Sequence, residues 1–222
     1  MTKIKPFLLP VLSAAVYLGV MAFVETVWMP GYLFKSLVKL LLTAGLVGLA
    51  CAVQKKAPQE VIFLRRMKPV KTLFLVMGIM FAGVFLGFLL LKSQLDLTLI
   101  RDRLAAKEGL TKQNCLFVFG YIIVVNSFLE EAFFRGFLGH ALPKPWGIGF
   151  AAIAFALYHI GILDSWVNPA ILVLMTAGLA AVGAVLQLIC DHFDSLKASW
   201  LVHGCANLAI NAIGCYVFFA VS

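Results

Sequence analysis

The chain has 222 residues, of which 63% are hydrophobic and only 13% charged, with a mean hydropathy of +1.01. A soluble domain carries about 25% charged residues to solvate its surface, so this composition excludes an ordinary soluble enzyme, a disordered chain and a secreted disulfide scaffold. It leaves an all-α polytopic transmembrane bundle. The net charge of +8 gathers between apolar runs, as topology signals and anionic-lipid contacts do, and not as a nucleic-acid footprint.

About 20 mostly apolar residues cross a bilayer as a helix, and seven runs approach this, at 7–29, 32–53, 72–91, 114–139, 146–163, 167–189 and 198–220. The first follows Lys3 and Lys5. It continues beyond a typical signal-peptide apolar region without a small-x-small site, and so reads as a span. Glu25, near its outer end, can meet Lys35. Between the second and third runs Lys55, Lys56, Arg65, Arg66, Lys68 and Lys71 mark a basic loop. Gly83–Gly87 in the third run and Ala177–Ala181 and Ala180–Ala184 in the sixth have the small-residue spacing of closely packed helices. Residues 92–112, with Leu95, Leu99, Ile100 and Leu104 among charges, read as an interfacial amphipathic helix stopped by Gly109. The chain thus divides into an amino-terminal part, 1–112, and a four-helix part, 113–222. Its five cysteines lie in or beside apolar runs with no CxxC pair, and read as buried thiols.

An integral membrane protein with a cytoplasmic amino terminus, in a cytoplasmic (inner) membrane, would place 54–71, 140–145 and 190–197 inside. Lys3, Lys5, the six bases of the loop, Arg135, Lys144 and Lys197 then face Lys35, Lys39, Lys92, Arg101, Arg103, Lys107 and Lys112 on the outside, a modest positive-inside bias.

The fourth run carries adjacent carboxylates, Glu130 and Glu131, deep in apolar sequence. An ionisable group near a bilayer centre costs roughly 2.5–3.5 kcal/mol on insertion scales and is a functional-site hypothesis by default. At 100° per residue Glu131 and Arg135 share a helix face and can pair, which leaves Glu130 to face other helices. The fifth run brings His159 and the seventh His203 and Asn207, the last two four residues apart on one face. Singly, each reads as a hydrogen-bonded core residue or interhelical contact. Jointly they are hard to satisfy except around one wet cavity.

Glu130–Arg135 fits EExxxR, Phe155–His159 fits FxxxH, and His203–Asn207 fits HxxxN. Three such motifs, in this order on separate membrane helices, resemble the CPBP family of type II CAAX prenyl endopeptidases, bacteriocin-processing proteins and related intramembrane glutamic proteases. The likeness covers roughly residues 113–215. It implies an intramembrane endopeptidase in which Glu130 activates water, His159 orients that water, and His203 and Asn207 stabilise the oxyanion. Glu131 and Arg135 would be the supporting pair, with Phe155 opening the second motif. Such a protein would need no cofactor and would act on a membrane-anchored or lipidated protein or peptide, at a C-terminal tail or a leader, within the bilayer and without nucleic acid.

Other readings stay open on residues alone. Glu130, His159 and His203 could hold catalytic zinc as a His₂Glu set, although no HExxH is present. Asp191, His192 and Asp194 form a second candidate metal cluster, or a solvated cap between helices. Cys205 lies between His203 and Asn207 without the setting of a protease nucleophile. Buried Glu and His also serve proton relays in transporters, and the same cavity could bind a peptide without cutting it, as an immunity protein would.

Overall fold

The computed structural model describes residues 7–67, 71–164 and 167–220. It is all helix, with seven segments long and apolar enough to cross a membrane. They are α1 (Leu8–Trp28), α2 (Tyr32–Gln54), α4 (Lys71–Gln94), α6 (Cys115–Ala141), α7 (Trp146–Leu163), α8 (Pro169–His192) and α9 (Leu196–Phe219). Two shorter helices lie between them, the single turn α3 (Pro58–Val61) and α5 (Leu97–Glu108).

Helix boundaries follow local chemistry. Pro169 opens α8 at the position where its missing N–H does no harm, and Asn168 caps the turn by accepting from the Ile171 N–H at 3.0 Å. Asp96 caps α5 through the Leu99 N–H at 2.9 Å, and Gly109, at φ 68°, ends it in the left-handed conformation that suits glycine. The expected helix is present, with Leu97, Ile100, Leu104, Lys107 and Glu108 half-buried along one side, but no residue of it is buried and Leu99 is exposed, so it lacks the marked apolar face the sequence suggested.

The connections sort to two ends. At one, Phe63 O accepts from the Leu196 N–H at 3.0 Å, Ser195 Oγ donates to Arg65 O at 2.7 Å, and the Phe63 ring stacks on His140 at 3.8 Å. The loops 55–67, 142–145 and 193–195 thus share an end, as the sequence suggests. At the other, α5 meets the start of α2 and the end of α7 through Glu108–Lys35 and Lys107–Gly161 O. Lys3, Lys5 and Lys68 of the charge pattern lie outside the described residues.

The core runs across the chain's two parts. Tyr17 and Met21 of α1 and Val47 and Ala50 of α2 cluster with Phe133, Phe134 and Phe137 of α6 and Phe155 and Tyr158 of α7. Tyr17 stacks on Phe133 at 4.1 Å. By contrast α4 buries Leu73 against α8 and α9 and leaves Phe74, Ile79, Leu86 and Leu90 outward, where lipid would cover them.

Burial divides the bundle by depth. Residues 127 and 129–139 of α6 and most of 147–158 of α7 are buried, whereas 120–126 and 128 of α6 and 159–162 of α7 are mostly half-buried. On these two helices burial is greater towards the basic-loop end than towards the α5 end. The polar residues singled out in the sequence sit at this transition.

Candidate active site

Helix α6 is not a uniform α-helix. It passes through π-helical turns at Ile122–Asn126 and Glu131–Leu138, with α-helix at Ser127–Glu130 between them. Such turns concentrate at functional sites because they re-aim side chains. Here the change of pitch falls at the paired carboxylates.

Glu130 faces α2, α7 and α9. Its Oε1 accepts from Lys39 Nζ of α2 at 3.0 Å and from Asn126 Nδ2 at 2.9 Å. Its Oε2 faces His203 Nε2 of α9 at 3.7 Å and His159 Nε2 of α7 at 4.0 Å. Glu130, His159 and His203, each on its own helix, are therefore brought together around one carboxylate oxygen. Glu130 and His203 are buried, and the His159 side chain is 18% exposed.

The two imidazoles are oriented from behind. His159 Nδ1 is 2.8 Å from Phe155 O, and a carbonyl only accepts, so Nδ1 carries the proton and Nε2 is left to the site. His203 Nδ1 lies 2.9 Å from Glu131 Oε1, which directs its Nε2 towards Glu130 in the same way. The Phe155 ring packs edge-on against both rings, at 4.5 and 5.8 Å, and its face lies 4.0 Å from the Arg135 guanidinium.

Two expectations are modified. Glu131 does meet Arg135, but at 3.5 Å, farther than its 2.9 Å contact with His203. The π-helical pitch takes residues four apart out of the alignment that 100° per residue assumes, so Arg135 reaches the carboxylate obliquely while α9 reaches it directly. Asn207 spends one N–H on Ile122 O at 3.3 Å, which ties α9 to α6 and leaves its second N–H for the cavity. Cys205 is half-buried on the same helix.

Sequence reading missed Lys39 and Asn126. Lys35 and Lys39 were counted as outside charges, and Arg135 as an inside one, yet all three are buried. The available signal was their position: Lys35 and Lys39 are the only charges in α2, four residues apart on one face. Lys35 binds Glu25 at 2.8 Å, as expected, and also Glu108 at 2.7 Å.

The second candidate metal cluster is not assembled. Asp191 contacts Lys144 at 2.6 Å and His140 at 3.1 Å, Asp194 pairs with Arg65 at 3.4 Å, and His192 is exposed. Among the described residues no group of three or more His, Cys, Asp and Glu is placed to hold a metal ion. At Glu130 the Lys39 ammonium lies against the very carboxylate a cation would need.

Residues 112–209 match the family model described as type II CAAX prenyl endopeptidase Rce1-like. No curated protein and no solved structure matches the chain. The matched segment contains Glu130, Glu131, Arg135, His159, His203 and Asn207, and stops short of α2.

Proposed function

We propose, from the match of residues 112–209 to the type II CAAX prenyl endopeptidase Rce1-like family, that the chain is a membrane protease of that kind and hydrolyses a peptide bond with a glutamate-activated water. The observation that carries this reading is the meeting of both imidazole Nε2 atoms with a single oxygen of a buried carboxylate, at 3.7 and 4.0 Å.

The steps follow from that arrangement. Glu130 Oε2 takes a proton as the water oxygen attacks the scissile carbonyl carbon. His159, with its Nδ1 held by Phe155 O, accepts a hydrogen bond from the water's other O–H through Nε2 and so aims the water's lone pair. The tetrahedral oxyanion is met by the free N–H of Asn207 and by His203. Glu131 stabilises the imidazolium form of His203, as a triad carboxylate does for its histidine. Glu130 returns its proton to the leaving amine, the C–N bond breaks, and a carboxylate and an amine depart. A positioned base contributes ~10²–10⁴-fold and one oxyanion donor ~10²–10³-fold.

The substrate is a membrane-associated protein or peptide, cut at a C-terminal tail, lipidated or not, or at a leader, a reading supported by the family match and the membrane-spanning helices. The chain resides in the cytoplasmic membrane with its amino terminus inside, which puts the basic loop 55–67 on the cytoplasmic side.

The test is Glu130→Gln, which keeps shape and removes basicity. Parent and variant, reconstituted in liposomes, are assayed on internally quenched peptides with and without a prenylated tail, and the membrane proteomes of cells carrying each are compared for unprocessed termini. Loss of cleavage by at least ~10²-fold is expected. Undiminished processing by the variant sinks the proposal, and proton-coupled uptake by the parent would favour transport instead.

A further inference from the structure

The carboxylate at the centre of the site is held from outside the matched segment. Helix α2 is mostly apolar, with Lys35 and Lys39 as its only charges, and a lysine near a span's end ordinarily turns its ammonium towards the interface. Lys39, in the second turn of α2, instead points inward and is buried. Its ammonium donates to Glu130 Oε1 at 3.0 Å and to Asn126 Oδ1, and lies 4.8 Å from the centre of the Tyr158 ring. Asn126, one turn before Glu130, closes a ring of hydrogen bonds by donating from Nδ2 to the same Oε1 at 2.9 Å. Only one orientation of the Asn126 amide satisfies both neighbours, because the ammonium can only donate and the carboxylate only accept.

We infer that Lys39 is a positioning residue for hydrolysis: with Asn126 it saturates Oε1 of Glu130, fixes the carboxylate plane, and leaves Oε2 as the oxygen that takes the proton from water. The inference rests on the glutamate reading above and deepens it. Two features distinguish this role from a simple interhelical staple. The first is the division of the carboxylate, with Lys39 and Asn126 on Oε1 and the two histidines nearest Oε2. The second is charge balance. Glu130 and Glu131 carry two negative charges in one buried cluster, and Arg135 and Lys39 supply two positive ones. Without Lys39 the adjacent carboxylates share a single cation. Lys39 supplies the second, so that each buried carboxylate has a cation against it.

The experiment is a double-mutant cycle in liposomes on the best quenched peptide cut by the parent. Lys39→Met is expected to lower kcat by about 10²-fold with KM changed less than about 3-fold, because the interaction acts on the base and not on bound substrate. Lys39→Arg, which keeps the cation, is expected to recover at least about a tenth of parental kcat. Lys39→Met added to Glu130→Gln should lower activity no further. Lys39→Met leaves Glu130 an uncompensated buried charge and can therefore fail to fold. Asn126→Ala, which removes one donor to Oε1 and no charge, is the second probe, expected to lose about 10-fold in kcat with KM unchanged. An inactive Glu130→Gln beside a Lys39→Met within about 3-fold of the parent overturns the inference and leaves the glutamate reading standing. So do losses that multiply in the double variant, or a loss confined to KM. An active Glu130→Gln overturns the glutamate reading itself, and this inference falls with it.

Discussion

Glu131 illustrates how little a buried charge can be reduced to one partner. Its Oε1 takes His203 at 2.9 Å and Arg135 at 3.5 Å, and Arg135, wholly buried, covers the Phe155 face at 4.0 Å. Removing one member of a buried ion pair leaves the other uncompensated, at a cost of about 3–5 kcal/mol. Arg135→Met should therefore lower the unfolding midpoint of the detergent-purified protein, and a midpoint equal to the parent's would show that His203 alone suffices for Glu131. The metal alternative is also tested at this scale. A lysine ammonium 3.0 Å from Glu130 repels a divalent cation from the same carboxylate, so cleavage should survive prolonged chelation and desalting. Activity that disappears and returns with added zinc would reverse that expectation. The motif residues were legible because acids and histidines are conspicuous in apolar sequence. Lys39 was not, since a lysine seven residues into a span reads equally well as an interfacial charge.

At the scale of elements, α5 is held to the bundle by charges rather than by a buried apolar face. Glu108 binds Lys35 at 2.7 Å, and Lys107 binds Gly161 O at 2.9 Å and Glu25 at 3.4 Å. Burial raises the Glu108 carboxyl above its ordinary value of 4.5, with the Glu25 charge adding to the rise and the bond and charge of Lys35 opposing it. Docked α5 thus binds the Glu108 proton more tightly than free α5 does. This contribution to docking is complete below pH 4.5 and declines as pH rises through the docked value. Amide-exchange protection at 97–108, corrected for intrinsic rates, should fall from pH 4.5 towards neutrality, and Glu108→Gln should flatten that trend. Protection that rises instead would mean that the Lys35 and Lys107 pairings outweigh burial. The helix itself was evident from its pattern of Leu and Ile and its glycine stop, whereas its ion pairs join Glu108 to Lys35 and Lys107 to Glu25, far apart in sequence, and were not.

Across the whole molecule, the basic loop meets the connections at 142–145 and 193–195, while α5 lies at the opposite end. Setting aside the buried Lys35, Lys39 and Arg135 tilts the remaining charges further towards the basic-loop end, which supports a cytoplasmic loop. In a cysteine-free background, a cysteine at Gln59 should react with an impermeant maleimide only after the membrane is opened. One at Asp102 should react in intact cells. The reverse pattern would invert the topology and leave the bundle unchanged.

The sequence by itself determined the seven apolar helices, the short helix α5, the shared end of the basic loop and the three motifs of the candidate site. Each of these is a local property, set by apolar length, by proline and glycine chemistry, or by an ionisable group conspicuous among apolar neighbours. Only the tertiary structure decided which oxygen of Glu130 faces the histidines, that His203 rather than Arg135 lies nearest Glu131, and that a lysine of α2 closes the site. Those outcomes depend on the π-helical pitch of α6 and on the rotation of α2 against it, which packing of whole helices sets and residue spacing does not encode. Scarce charge marks where a membrane protein keeps its chemistry, but the pairing of those charges is settled only when the helices meet.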